Sequence, residues 1–218
     1  MDPTAEQFFH QQLVETKIQF DKSDVKHKQQ EMSQKWNYAV CATPIQKSKG
    51  VIFGINWGGN NMDPQSKMPD GSGIKNYRFI KQSRALLEEY WGVNIEEPDF
   101  NYTNLCSFRS PRANQLTDND YELSLPLFEK YIRYIQPPWI LSLGRKNVQM
   151  LQHFGVLKNI QPLCDHTNKH KGYSGELWES NFFSVPHPGA RISKESRIKI
   201  WEAVSREMRK IETEVRSF

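Results

Sequence analysis

The sequence predicts an α/β fold: a three-layer domain with a central, mainly parallel four-stranded sheet flanked by helices. Three observations predict it. Four short runs are apolar and rich in β-branched or aromatic residues: Val51-Ile52-Phe53-Gly54-Ile55, Phe100-Asn101-Tyr102-Thr103-Asn104-Leu105, Trp139-Ile140-Leu141-Ser142-Leu143 and Asn181-Phe182-Phe183-Ser184-Val185. Such runs read as buried strands. They alternate with segments of helical period, the order expected of an α/β domain around a mainly parallel sheet. In sheets of this kind ligand sites gather at the carboxyl ends of the strands, so the segments after Ile55, Asn104, Leu143 and Val185 are where chemistry is expected.

The chain reads as a single domain over 1–218, with 1–40 as an N-terminal helical extension. Residues 4–35 are rich in Gln and Lys, and Phe8, Phe9, Leu13, Ile18 and Phe20 are their apolar points, so one or two surface helices packed by one face are predicted. The loop from Trp57 to Gly73 is long and full of Gly, Asn, Asp and Pro, a length more typical of functional loops than of simple connections. Ile74 to Trp91 follows as a helix closed by Gly92. Thr117-Asp118-Asn119-Asp120 has the form of a helix start. In the helix it opens, Phe128, Tyr131, Ile132 and Ile135 share a face, and Pro137-Pro138 ends it. A helix over Lys146 to Phe154 follows the turn at Gly144, and a last helix from about Ser193 carries the stripe Trp201, Val204, Met208 and Ile211.

Composition narrows the classes of function. With 218 residues, 37% hydrophobic and 12% aromatic, the chain can bury one core, and global disorder is not expected. The net charge of +4 suits a nucleic-acid partner without requiring one. Cys41, Cys106 and Cys164 form no C-x-x-C pair and no even set, which points away from a disulfide framework or zinc ribbon and toward a reducing, cytoplasmic setting. The N-terminus lacks the character of a secretory signal, and no apolar run reaches the length of a membrane span. His166 and His170 stand four apart, but without a helical pattern or a third ligand they define no metal site. Gly58-Gly59 is followed by no G-K-[ST], so it is not a phosphate loop.

The first strand ends in Gly54-Ile55-Asn56-Trp57-Gly58-Gly59-Asn60-Asn61, and the fourth in Val185-Pro186-His187-Pro188-Gly189-Ala190-Arg191-Ile192. Each polar residue here has a plain structural use. Asn56 could cap a turn, His187 a strand end, Asn104 could pair with strand-end backbone, and Arg191 could be an ordinary surface arginine. Taken in order, however, Gly54-Ile55-Asn56-Trp57-Gly58, Thr103-Asn104-Leu105-Cys106 with Arg109-Ser110-Pro111, Leu141-Ser142-Leu143-Gly144, and His187-Pro188-Gly189 resemble the successive motifs of the uracil-DNA glycosylase superfamily. The resemblance spans roughly Val51 to Met208 and is closest to the mismatch-specific and single-strand-selective families.

That resemblance implies a monofunctional DNA glycosylase, which hydrolyses the N-glycosidic bond of a flipped-out uracil-type or modified pyrimidine and leaves an abasic site. It implies that Asn56 holds the attacking water, that His187 donates to the base oxygen and that Asn104 reads the base edge. Trp57, Gly58 and Met68 are implied around the base. Arg191, with Ile192 as the neighbouring candidate, takes the position of the wedge that fills the gap left by the flipped nucleotide, with Gly189 beside it and Lys169 and Lys171 as further DNA contacts. No cofactor and no metal are expected; the expected partner is DNA, bound by a monomer. Two positions depart from the family pattern. Trp57 stands where proline is usual and Gly189 where serine is usual. Those departures point either to a pocket reshaped for another base, such as a hypermodified phage cytosine in anti-phage defence, or to a catalytically weak DNA-binding relative.

Overall fold

The computed structural model describes residues 2–32, 36–58, 63–163 and 171–216. Its helices are α1 (Ala5–Phe20), α2 (Asp24–Glu31), α3 (Arg78–Trp91), α4 (Asp118–Ile135), α5 (Arg145–His153) and α6 (Lys194–Arg216). Its strands are β1 (Val51–Trp57), β2 (Asn101–Arg109), β3 (Ile140–Leu143), β4 (Leu157–Leu163), β5 (Gly172–Leu177) and β6 (Ser180–Val185). They form one sheet in the order β2-β1-β3-β6-β5-β4. The pairs β1/β2, β1/β3 and β3/β6 are parallel, while β5 runs antiparallel to β6 and to β4.

The α/β class and the helix-flanked, mainly parallel sheet are as the sequence predicts, but the sheet has six strands rather than four. The two extra strands carry no continuous apolar run. β4 is Leu-Lys-Asn-Ile-Gln-Pro-Leu with its polar positions exposed at the sheet edge, where Pro162 is tolerated. β5 contains two glycines and is mostly half-buried. At Gly175 a Cβ would come within 2.9 Å of the Lys158 carbonyl oxygen, so the close β4–β5 approach requires glycine.

Period-2 alternation sends side chains into two cores, one on each face of the sheet. Val51 and Phe53 of β1 pack with Phe8 and Phe9 of α1, Phe128 and Tyr131 of α4 and Leu151 of α5. Ile52, with Leu141 and Phe183, packs with Leu87 and Trp91 of α3 and with Trp201 and Val204 of α6. Helix ends follow local chemistry. Thr117 and Asp120 close a reciprocal capping box on α4, and Gly92 ends α3 in the left-handed conformation at φ 63°. Helices α1 and α2 are fastened to this frame: Asp120 accepts from the Val25 backbone N–H at 3.1 Å, and the Gln12 amide donates to the Leu127 carbonyl.

Candidate functional site

Two cavities flank the carboxyl end of β1, and successive residues of that strand serve one each: Ile55 lines one and Asn56 the other. The cavity of about 410 Å³ is lined by Asn56, Trp57, Gly58, Tyr77, Arg78, Phe79, Tyr102, Asn104, Arg109 and Pro111. Its position follows from strand register. Gly54 pairs with Asn104 and Asn56 with Cys106. Gly54 and Asn56 lie two residues apart, on one face of β1. A Cβ on Gly54 would sit 2.5 Å from Asn104 Oδ1, so the first glycine of the Gly54-Ile55-Asn56 motif is the space that the Asn104 amide occupies. The β1–β2 register shifts between Asn56 and Trp57, which lets consecutive residues line the same cavity.

The two amides are left with free acceptors. Asn56 is 8% exposed, and its Nδ2 donates to the Ser110 carbonyl at 3.1 Å and to Ser110 Oγ at 2.9 Å. A carbonyl can only accept, so it fixes the amide with Nδ2 toward Ser110, and Oδ1 has no partner among the described residues. Asn104 is 3% exposed, and its Oδ1 is buried without a hydrogen-bond partner. Leaving a buried acceptor unpaired costs about 1–3 kcal/mol, so a group that supplies a donor here binds to a site already desolvated for it. Aromatic rings wall the cavity. Trp57, Tyr77 and Tyr102 meet edge to face, with centroid separations of 6.3, 6.1 and 5.8 Å. Arg109 stacks over Trp57, its guanidinium carbon 5.7 Å from the ring centroid.

His187 lines the second cavity, of about 470 Å³, together with Ile55, Leu143, Gly144, Arg145, Lys146, Asn147, Lys171 and Ala190. The two cavities adjoin through Phe79, which lines the first and stands edge-on to the His187 ring at 4.5 Å. The Gly189 N–H donates to His187 Nδ1 at 3.0 Å. That bond requires an unprotonated Nδ1, so the neutral ring carries its proton on Nε2. Burial first, then the charges of Arg197 and Arg78, hold the imidazole below its ordinary pKa and favour this neutral donor. Two glycines suit the arrangement: Gly144 adopts φ 129°, a backbone conformation that residues with a Cβ rarely take, and at Gly189 a Cβ would stand 3.2 Å from His187 Nδ1. Arg197 of α6 clasps the turn, donating to the His187 carbonyl at 3.3 Å and to the Ala190 carbonyl at 2.9 Å.

Of the residues singled out in the sequence, Asn56, Asn104, Trp57 and Gly58 share the first cavity, and His187 and Lys171 share the second. Gly189 acts through the His187 ring nitrogen. Arg191 is exposed beside the histidine turn, and Ile192 is half-buried against the α3/α6 core. Met68 packs against the opposite core and lines neither cavity. Lys169, with Cys164, His166 and His170, lies outside the described residues.

Arg197 and Asn147 stand in none of the sequence motifs, and Arg109 and Ser110 stand in one without a role assigned to either. Asn147 is 1% exposed; its Nδ2 donates to Ser142 Oγ at 3.0 Å and its Oδ1 has no partner. Its signal in the sequence was an asparagine in the first turn of a helix that follows a strand and glycine, a place where polar side chains reach the strand ends. Arg197 carried no local signal, because it acts across a turn on backbone carbonyls. Among the described residues no cluster of three or more His, Cys, Asp or Glu could hold a metal ion, and no helix is long and apolar enough to cross a membrane. No protein-family model matches the chain, and no curated protein matches it.

Proposed function

We propose that the protein is a monofunctional DNA glycosylase of the uracil-DNA glycosylase type. It hydrolyses the N-glycosidic bond of a flipped-out uracil-type or modified pyrimidine and leaves an abasic site. The observation that carries this reading is the pairing, at one sheet edge, of two asparagines with free acceptors in an aromatic-walled cavity and an adjoining neutral histidine with its proton on Nε2. Cleavage of this bond builds positive charge on the sugar and negative charge on the departing base. Asn56 Oδ1 accepts from a water and aims its oxygen at C1′. The C1′–N bond breaks with its electron pair on the base, and the His187 Nε2–H donates to the base oxygen where that charge collects. The water oxygen bonds to C1′, and its released proton is taken up by the base. Asn56 is an amide and cannot take that proton, so its work is orientation. Asn104 Oδ1, unpaired and buried, accepts from an N–H on the base edge.

Exposed Arg78, Arg145 and Lys146 line the cavities, and with exposed Arg191, the residue after cavity-lining Ala190, they suit a phosphate backbone. In this reading a single copy acts on DNA in the cytoplasm. Trp57 and Gly189 favour a modified base, and with it the removal of hypermodified phage cytosines in anti-phage defence. The same two residues motivate a second reading, a DNA-binding relative that holds a base without cutting.

An oligonucleotide panel tests the proposal: uracil, hypoxanthine, thymine mispairs and phage-modified cytosines, each single-stranded and in duplex. Alkali-labile breaks at one of these bases are expected. Retention of every strand intact, with DNA still bound, would move the protein to the second reading.

A further inference from the structure

Two arginines line the amide cavity, exposed Arg78 and the more buried Arg109, and among the described residues Arg109 has no counter-charge. It is half-buried at the end of β2, and its Nε is buried without a hydrogen-bond partner. Among the described residues it forms no ion pair. Its neighbours are uncharged: the Trp57 ring beneath its guanidinium and the phenol of Tyr77 beside it. Burial depresses its pKa, the direction expected of a cation withdrawn from water without compensation. Among the described residues Arg84 and Arg133 do hold carboxylates. Arg84, which is more exposed, holds both Glu88 at 2.9 Å and Glu96 at 2.7 Å. A partly desolvated guanidinium without a carboxylate is costly to keep, and its planar fork suits carboxylate and phosphate oxygens.

We infer that the cavity of Asn56 and Asn104 takes a ligand bearing an anionic group, carboxylate or phosphate, which pairs with Arg109. This rests on the cavity being the base site proposed above. It narrows the substrate to a base or nucleotide whose own negative charge is read inside the cavity. Arg109 donates through Nε and one terminal nitrogen to two anionic oxygens, while the amides engage the neutral edge of the same ligand. The charge has two sources: a substituent on the base ring, or the phosphate of the flipped nucleotide.

Calorimetric titration of the full chain with two pairs of small probes separates them: uracil against 5-carboxyuracil, and deoxyuridine against deoxyuridine 5′-monophosphate. The anionic member of one pair is expected to bind at least about tenfold tighter than its neutral parent, the scale of a charge-assisted bidentate pair. Preference within the first pair assigns the charge to the base; within the second, to the phosphate. The preference should vanish in Arg109→Gln and persist in part in Arg109→Lys. Equal binding of both members in both pairs, or no binding of any probe, overturns the inference, and that result needs no variant to fold. A preference that survives in Arg109→Gln overturns it as well. The glycosylase reading is scored separately by strand breaks. Cleavage with no anionic preference sinks this inference and leaves that reading standing, while Arg109-dependent binding with no cleavage of any oligonucleotide does the reverse.

Discussion

The two cavities beside the end of β1 are built from different material. The amide cavity is made of strand: Asn56 stands next to the last residue of β1 and Asn104 inside β2, its parallel neighbour, and the Gly54–Asn104 register pair sets their spacing. The histidine cavity depends on a turn. His187 lies past the end of β6 and is held by the Gly189 N–H on its ring and by Arg197 on its carbonyl. A strand side chain moves only if the sheet moves, whereas a turn can be repositioned by losing one or two hydrogen bonds. Recognition groups on the rigid part and a proton-bearing donor on the adjustable part predict that the two can be damaged separately.

The largest expected effect is on the histidine side. His187→Ala removes a donor used mainly in the transition state, so single-turnover cleavage should fall by about 10²–10³-fold with DNA affinity little changed. A variant that cuts as fast as the parent would remove His187 from the chemistry. The acid limb of the rate profile tests the same group without mutation. The neutral ring is the working form, and its pKa lies below the ordinary 6.5, so turnover should persist through 6.5 and fall only at lower pH. The linked stability has the matching sign. The unfolded chain takes up this proton first as pH drops, so the His187 contribution is intact above 6.5 and is lost as pH falls through the folded value. An acid limb at or above 6.5 would contradict the burial and the two arginines as its cause.

On the amide side the expected change is in selectivity. Asn104→Asp replaces an edge-reading amide by a group with acceptors only, so the order of preferred bases in the oligonucleotide panel should change by about 10–10²-fold. An unaltered order would place edge reading elsewhere. A smaller effect sharpens the register argument. Gly54→Ala forces a methyl to 2.5 Å from Asn104 Oδ1, which should lower unfolding stability by about 1–3 kcal/mol. In the same variant selectivity should shift as it does in the Asn104 variant, while the pH profile set by His187 stays in place. Thermal melts and the panel measured on one preparation check both parts.

The same contrast explains what the sequence made legible. The parallel strands β1, β2, β3 and β6 are largely buried and announce themselves as apolar runs, so Asn56 and His187 could be placed at strand ends from residue order, whereas β2 runs on to Arg109 and holds Asn104 inside the strand rather than at the end expected near Leu105. β4 is exposed along most of its length, β5 is mostly half-buried and needs glycine at 175 for its close approach to β4, and their sequences resemble loop. Within the site, residues adjacent to a strand end were visible. Groups that act across space were not: Arg197 holds a turn from another element, and Arg109 matters for a counter-charge that is absent, which no local pattern encodes. Met68 is the residue singled out in the sequence that packs away from both cavities. Its place in a long glycine-rich loop suggested the base pocket, but its unbranched apolar side chain packs against the core that holds Val51 and Phe53 instead.

The smallest effect belongs to Arg191, and it separates the two cavities from the DNA that must reach them. Arg191 is exposed on the turn after His187, with Ile192 next to it half-buried and fixed against the α3/α6 core. Of the two candidates for the gap left by a flipped nucleotide, the exposed arginine is free to enter a duplex, while Ile192 would have to leave its packing. Arg191→Ala should therefore lower cleavage on well-paired duplex by several-fold, since flipping from a stacked, paired position costs about a few kcal/mol. On single strands, where no partner base is left behind, the rate should change little. The same variant should also lower the salt dependence of binding slightly if the guanidinium touches a phosphate, because one fewer counterion is then released. Equal loss on single strands and duplex would reassign Arg191 from wedge to plain phosphate contact, and the histidine turn would then carry its donor without carrying the wedge.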